Sequence, residues 1–284
     1  MENNLRSLQL EETKMLGTLI DFFNENSIRF FVLAGTFLGT IRHKGFVPWD
    51  DDIDVGVPRE DYERLISLVQ STKKIGSMEV RYFKNDYSLL HYPLRVVNPN
   101  IILTKKLGTE VVEAEAWITL FPLDGMPKNA VARYIRGRIL LLRRFNYVMA
   151  RYLKIVDSNA QRYSKLKKTM VKLAGTLGVY KLFDEVKTVD RMDADLKKYP
   201  YDKSDYIMTL MGGYKLKEMF PKEVFGEGKK YPFEDIEVIG PIDYERYLTQ
   251  IYGDWRTPPP ENDPERNHHR LIGISIKENN SNEE

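Results

Sequence analysis

Residues 34–59, AGTFLGTIRHKGFVPWDDDIDVGVPR, decide how the rest of the chain is read. The run just before them, IRFFVLA (28–34), is apolar and rich in aromatic and β-branched side chains, which predicts a buried strand ended by Gly35. Thr36–Ile41 is short enough for one or two helical turns, with Thr36 as N-cap. The loop HKGFVPWD follows, with Gly45 and Pro48 as breakers. DIDVGV (52–57) then alternates polar and apolar residues, the pattern of a strand with one wet face. On such a strand Asp52 and Asp54 project from one face while Ile53 points to the core. Asp50 shares their parity and Asp51 has the opposite one. Pro58 opens a helix whose Tyr62, Leu65, Ile66 and Val69 lie on one side.

These residues bring three chemical elements together. A Gly35-Thr36 turn between strand and helix leaves backbone amides free to face an anion. Arg42, His43 and Lys44 add positive charge a few residues later. Asp52 and Asp54 repel each other unless a cation sits between them. An oxygen-only ligand set favours a hard ion, Mg²⁺ first and Mn²⁺ second. That set of parts suits phosphoryl transfer, in which amides and cations hold phosphate and a metal offsets developing charge. An isolated acidic triplet would read instead as a solvated turn; the Gly-Thr turn upstream argues for the site.

Composition narrows the alternatives. The chain has 284 residues, 42% of them hydrophobic, which fits a folded protein with a substantial core. It contains no cysteine, so disulfides, thiol nucleophiles and cysteine-based zinc sites are excluded. The start, MENNLRSLQLEETKML, has acids where a signal peptide needs a basic and apolar run, and no stretch is apolar enough to span a bilayer. A cytoplasmic protein is expected. Residues 128–182 hold 14 basic side chains and one acid, Asp157, within a chain whose net charge is only +2.

Outward from the central stretch, residues 5–26 predict a helix, and 78–83, 89–97 and 118–121 (ITLF) predict strands, the last closed by Pro122 and Gly125. A long helix is expected over 131–156 and a second helical stretch over 162–188. KKYPFEDIEV reads as a hairpin arm and 241–251 as a helix, before the loop YGDWRTPPPEND and the pair His268-His269. No internal repeat is present.

The pattern A-G-T-x-L-G-x-x-R-H-K-G-F-x-P-W-D-D-D-I-D-V-G-x-P-R-x-D-Y resembles the signature of the LicD family of phosphocholine and related phosphotransferases, which includes fukutin-like proteins and lies within the nucleotidyltransferase superfamily. The resemblance is dense over 33–62 and resumes in WITLFPLDG (117–125) and YLTQIYGDWRTPPPEN (247–262). It implies an α/β (α+β) fold, a nucleotidyltransferase-like mixed sheet with flanking helices and a basic helical insertion. The expected division is a core over 1–127, the insertion over 128–205 and a segment closing the site over 206–284.

By the same resemblance, Asp52 and Asp54 would hold Mg²⁺ against the diphosphate of a CDP-linked donor, typically CDP-choline. Gly35 and Thr36 would line its phosphates, with Arg42, His43, Lys44 and Arg95 as further phosphate contacts. Phosphocholine would pass to a sugar hydroxyl of a cell-surface glycan precursor, of teichoic acid or lipopolysaccharide type, and CMP would leave. Family members commonly read W-I-D-I-F-P-L-D, whose first Asp is the third carboxylate of the site. Here that position is Thr119, neither a base near neutral pH nor a strong ligand. Either Glu113, Glu115 or Asp124 supplies the carboxylate, or the protein is an impaired member that binds a ligand or a partner. A transferase using another CDP-linked donor is the remaining alternative.

Choline recognition calls for aromatic faces, and Trp49, Trp117, Tyr252 and Trp255 lie in or beside the family-like segments. In Arg133–Lys154, within the basic segment 131–182, Ile135, Ile139, Leu142, Phe145, Met149, Tyr152 and Leu153 could form a stripe beside Arg136, Arg143, Arg144 and Arg151. Such a helix suits peripheral contact with an anionic membrane carrying a lipid-linked acceptor, glycan phosphates, or a homodimer. Nucleic acid is not expected, because no RNA-binding motif is present.

Overall fold

The computed structural model describes residues 2–85, 91–107, 110–151, 176, 178, 182–261, 263 and 271–277. The first helix, α1 (Glu2–Glu25), buries Leu5, Leu8, Met15, Leu16, Leu19 and Phe23, which recur at helical spacing. Strand β1 is only Phe31–Val32, shorter than the 28–34 expected. Just these two residues find ladder partners, Gly56 and Val55. The Leu33 amide then bonds to the Asp54 carbonyl, and Ala34, at φ 45°, turns the chain into a helix.

That helix, α2 (Ala34–His43), starts two residues before Thr36. Its N-cap position is Leu33, without a side-chain cap, so Thr36 is not the cap. Lys44, at φ 62°, ends it. Strand β2 (Ile53–Pro58) leads directly into α3 (Arg59–Leu68). Short strands β3 (Lys74–Ile75) and β4 (Met78–Arg81) precede two long ones, β5 (Leu94–Leu107) and β6 (Glu110–Met126). Both run far beyond the expected 89–97 and 118–121. Their register shifts between Asn98 and Ile102. Beyond Asn98 only Ile101 and Leu103 stay buried among the described residues, while Lys106, Val111 and Glu113 are exposed, which interrupts the usual alternation.

Helix α4 (Ala130–Ala150) is capped by the Asn129 side chain, and α5 (Glu185–Leu196) by Asp184. Strand β7 (Tyr206–Met208), a 3-10 turn (Lys215–Glu218) and strand β8 (Met219–Pro221) come next. The expected hairpin is formed by β9 (Lys229–Phe233) and β10 (Ile236–Gly240), followed by α6 (Tyr244–Tyr252) and β11 (Leu271–Ile276). Most of 162–188, and both His268 and His269, lie outside the described residues.

Among the described residues the main sheet has nine strands, in the path β1-β2-β6-β5-β4-β3, with β11 added on β5 and β7-β8 on β6. Strands β2 and β6 are parallel and the other pairs antiparallel, so the sheet is mixed, as expected, and the fold is α+β. Strands from the last third of the chain therefore share the sheet that carries Asp54.

The arginines of α4 do not form the surface stripe expected of them. Arg136 is 6% exposed and reaches Asp195, Arg143 bonds Asp195 at 2.5 Å, and Arg151 is 1% exposed and pairs with Glu185. Arg144 donates to the carbonyls of Leu210 and Gly212. Acids on α5 draw three of these cations inward. What α4 leaves outside is apolar: Val131, Tyr134, Ile135, Ile139, Leu142 and Phe145 are exposed, with Arg138 among them. No helix among the described residues is long and apolar enough to cross a membrane.

Candidate active site

The center of the site is the junction of α2 and β2. Thr36 is buried inside α2, and its Oγ1 accepts the Asp54 amide at 2.9 Å. Helix and strand are thus locked together at the residue that carries the carboxylate. Gly35 lies against Asp50: a Cβ there would sit 2.4 Å from Asp50 Oδ2. Any side chain at position 35 would displace that carboxyl. At the start of the same helix, the Ala34 amide donates to the Tyr247 hydroxyl at 3.0 Å.

Asp50, Asp52 and Asp54 converge, although β2 begins only at Ile53, one residue later than expected, so that Asp50 and Asp52 lie in the loop before it. The Asp50 carboxyl bonds to that of Asp52, and burial with its two acidic neighbors holds it well above the usual carboxylate range. Asp54 is also pushed well above that range, first by burial and then by Asp52, Asp50 and Glu218, with Arg95 opposing. Carboxyls that retain protons in this way exchange them readily for a cation. Asp51, of opposite parity, turns away and pairs with Lys105 at 3.1 Å.

Thr119 on β6 stands beside Asp54 on one side and Arg95 on the other. A carboxylate at this position would therefore occupy the row between acid and cation. Burial lowers Arg95 to about 10, against the pull of Asp52 and Asp54, and its Nε has no hydrogen-bond partner. Its guanidinium lies 4.1 Å from the Trp117 ring centroid, and the Lys105 ammonium lies 4.9 Å from it. The Trp117 indole is thus already engaged by two cations.

The structure does not bring the sequence-nominated substitutes for the third carboxylate to this point. Asp124 is buried and held by Arg59 through two bonds of 2.6 and 2.9 Å. Glu115 makes a two-point pair with Arg81, at 2.5 and 2.9 Å, which lowers its pKa. Glu113 is exposed on the outer part of β6. Arg42 donates to the Trp255 carbonyl at 2.8 Å and to His43 Nε2 at 2.9 Å, bracing the loop after α6. His43 is held below its ordinary pKa by partial burial and by Arg42. Lys44 is exposed and bonds the Ile41 carbonyl at 3.4 Å. All three sit at the C-terminal end of α2, where positive charge complements the helix dipole.

Two acids at the site were not among the nominated residues. Glu12 on α1 is 1% exposed, faces Asp50, Asp51 and Asp52, and leaves Oε2 without a hydrogen bond. Its position, four residues after Leu8 and four before Leu16, puts it on the apolar stripe of α1 and is a readable signal. Glu218 is 6% exposed and close enough to Asp54 to raise it. It lies in a one-turn 3-10 segment whose sequence carries no periodic signal.

Among the nominated aromatics, Trp255 is buried beside Tyr244, and Trp49 lies under Arg42 at 5.9 Å. Tyr252 packs edge-on against Tyr214, 5.3 Å between centroids, and senses the charge of Asp50. Among the described residues, no three acidic or histidine side chains are arranged as a preformed metal cage. Asp52 and Asp54 nevertheless fit Mg²⁺ or Mn²⁺: both supply hard oxygen donors, and Mg²⁺ ordinarily completes its shell with water and substrate phosphate.

A family model described as LicD/FKTN/FKRP, nucleotidyltransferase domain, matches residues 27–92, the segment that contains α2, the aspartates and α3. The chain is 27% identical over 278 residues to the lipopolysaccharide cholinephosphotransferase LicD of Haemophilus influenzae, covering 93% of this chain and 97% of that protein. Shorter matches, 34% identical over 56 residues, join it to the uncharacterized proteins RP689 of Rickettsia prowazekii and RT0683 of Rickettsia typhi. Those two cover 20% of this chain and 21% and 18% of their own lengths.

Proposed function

The chain belongs to the LicD family, and from that premise we propose that it transfers phosphocholine to a hydroxyl of a lipopolysaccharide-type glycan. The observation that carries the reading is the convergence of Asp50, Asp52 and Asp54 on the first turn of α2, inside a segment that matches the family. CDP-choline is the proposed donor and Mg²⁺ the proposed ion; a teichoic acid precursor is a second acceptor of the same chemistry.

In this reading Asp52 and Asp54 would hold the divalent ion. When bound, such an ion neutralizes charge on the donor diphosphate. Thr36 fixes the strand that carries Asp54. The Gly35 and Thr36 amides in the first turn of α2 would offer donors to a phosphate oxygen, and Arg95, left with an unsatisfied Nε, adds positive charge from β5. Tyr252, which senses Asp50, and Tyr214, packed edge-on against it, would supply aromatic surface of the kind a quaternary ammonium requires. The exposed apolar face of α4 would rest on an anionic membrane that carries a lipid-linked acceptor. The sequence that continues from this face, residues 152–182, has seven basic residues and one acid.

Calorimetric titration with CDP-choline, CDP-ribitol, CTP and CMP, each with and without Mg²⁺, tests the donor. Mg²⁺-dependent binding of CDP-choline above the others, lost in Asp52→Ala, is the expected result. Equal binding in Asp52→Ala would remove the aspartates from the site, and stronger binding of another CDP-alcohol would change the cargo.

Thr119 supports a second reading, that of an impaired member acting by binding alone. Under it the native chain has no transfer activity and Thr119→Asp creates some. Measurable transfer by the native chain would end that reading.

A further inference from the structure

We propose that Glu218 accepts the proton of the attacking acceptor hydroxyl, the task left open by the threonine at position 119. The inference rests on the transferase reading above. If the hydroxyl oxygen attacks the phosphorus that bears choline, a new O–P bond forms. The bond from that phosphorus to the bridging oxygen breaks, CMP leaves with the bridging oxygen, and the hydroxyl proton passes to a Glu218 carboxylate oxygen.

Elimination gives the first support. Asp52 and Asp54 are reserved for the cation, Asp50 bonds to Asp52, Glu12 faces that same acidic cluster from α1, Asp124 is held by Arg59 and Glu115 by Arg81. Glu218 is a buried carboxylate whose 3-10 turn is tied to α6 by the bond from Gln250 to the Lys217 carbonyl, and α6 reaches the head of α2 through Tyr247; among the described residues no ion pair holds it. The charged and titratable groups around it come from four elements. Arg144 of α4 favors its ionization, but Nη1 of that arginine donates to the carbonyls of Leu210 and Gly212. Asp54 of β2 and Tyr247 of α6 both sense its charge, and Tyr214 and Lys215, at the start of its own turn, give it backbone amides.

The packing is built for a carboxylate at this place. The Tyr214 amide donates to Glu218 Oε1 at 2.7 Å, which fixes the group from one side. Opposite, Gly212 leaves the room the acid needs: a Cβ there would lie 2.1 and 2.2 Å from the two carboxylate oxygens. Burial outweighs the amides and Arg144 and raises the acid to about 7, where a group both accepts and releases a proton near neutral pH.

The test compares native protein with Glu218→Gln, whose amide oxygen still accepts from Tyr214. Phosphocholine transfer from CDP-choline to a glycan acceptor is followed from pH 5 to 9, alongside donor binding and thermal unfolding. The expected result is a kcat reduced ~100-fold or more, an unchanged KM for the donor, an unchanged melting temperature, and loss of the acid limb near pH 7. Equal kcat in Glu218→Gln, or an acid limb retained in the variant, would overturn the assignment alone. A native protein with no transfer at any pH would overturn the transferase reading and this assignment with it.

Discussion

The Asp54 amide donates to Thr36 Oγ1 across 2.9 Å, so the helix after the first strand sets the position of the strand that bears the carboxylates. The bond is buried, with Thr36 at 2% exposure. Thr36→Val keeps the shape and removes the acceptor, leaving a buried N–H unpaired at a cost of about 1–3 kcal/mol. Urea unfolding should show that loss, together with weaker Mg²⁺-dependent donor binding. Thr36→Ser, which retains the hydroxyl, should restore most of both; a Val variant as stable as the native chain would remove Thr36 from this role.

Asp124 and Asp54 look alike in sequence and differ in kind. Asp124 is enclosed with Arg59, which also bonds the Tyr92 hydroxyl at 3.1 Å. Removing one member of such a pair strands a buried charge, at a cost of about 3–5 kcal/mol. Asp124→Ala should therefore lower the unfolding midpoint sharply while the folded fraction keeps its turnover. Asp54→Asn should do the reverse, because it relieves carboxylate crowding and removes an oxygen donor for the cation. Denaturation curves and turnover per folded molecule, measured on both variants, separate the two.

How far these features can be read from sequence follows from the range of the interaction involved. The alternation of DIDVGV marks the strand that carries Asp54 and the acids that lead into it, and the breakers around KKYPFEDIEV mark the hairpin. Both are local. The capping of α2 is misread because Thr36 is a good N-cap in isolation, whereas here its hydroxyl serves a strand eighteen residues away. The outer arms of β5 and β6 escape notice because the register shift after Asn98 and the exposed Lys106, Val111 and Glu113 break their alternation. The inward turn of Arg136, Arg143 and Arg151 depends on acids of α5, far along the chain. Glu12 was legible as an acid on an apolar stripe, while the environment of Glu218 exists only once Gly212, Arg144 and Asp54 are brought together.

Glu12 makes a pH prediction with a definite sign. Burial and the charges of Asp52, Asp51 and Asp50 hold its folded pKa well above the usual range. In the unfolded chain it ionizes near ~4.3. Between those values the folded state binds the extra proton, so its contribution to stability is complete at low pH and is lost as pH rises. Glu12→Gln cannot ionize and escapes that loss. Its urea midpoint should match the native one near pH 4 and exceed it progressively toward pH 8. A difference that stays flat across this range would mean Glu12 is not buried against the aspartates.

The outer face of α4 offers the last prediction. Ile135, Leu142 and Phe145 are 52%, 56% and 55% exposed, too much apolar surface on one helix face to be accounted for by the rest of the fold. Arg138 stacks on Tyr134 within this face, and the strongly basic sequence after Arg151 continues from its end. Apolar side chains next to basic ones are what an anionic bilayer attracts, by shallow insertion together with charge. The native protein should therefore float with vesicles containing phosphatidylglycerol and not with purely phosphatidylcholine vesicles. Leu142→Ser with Phe145→Ser should abolish flotation while leaving donor binding unchanged, because neither residue contacts the aspartates. If flotation persists in the double variant, this face is not the membrane contact. If the native protein instead sediments as a dimer and the double variant as a monomer, the face belongs to a second copy of the chain.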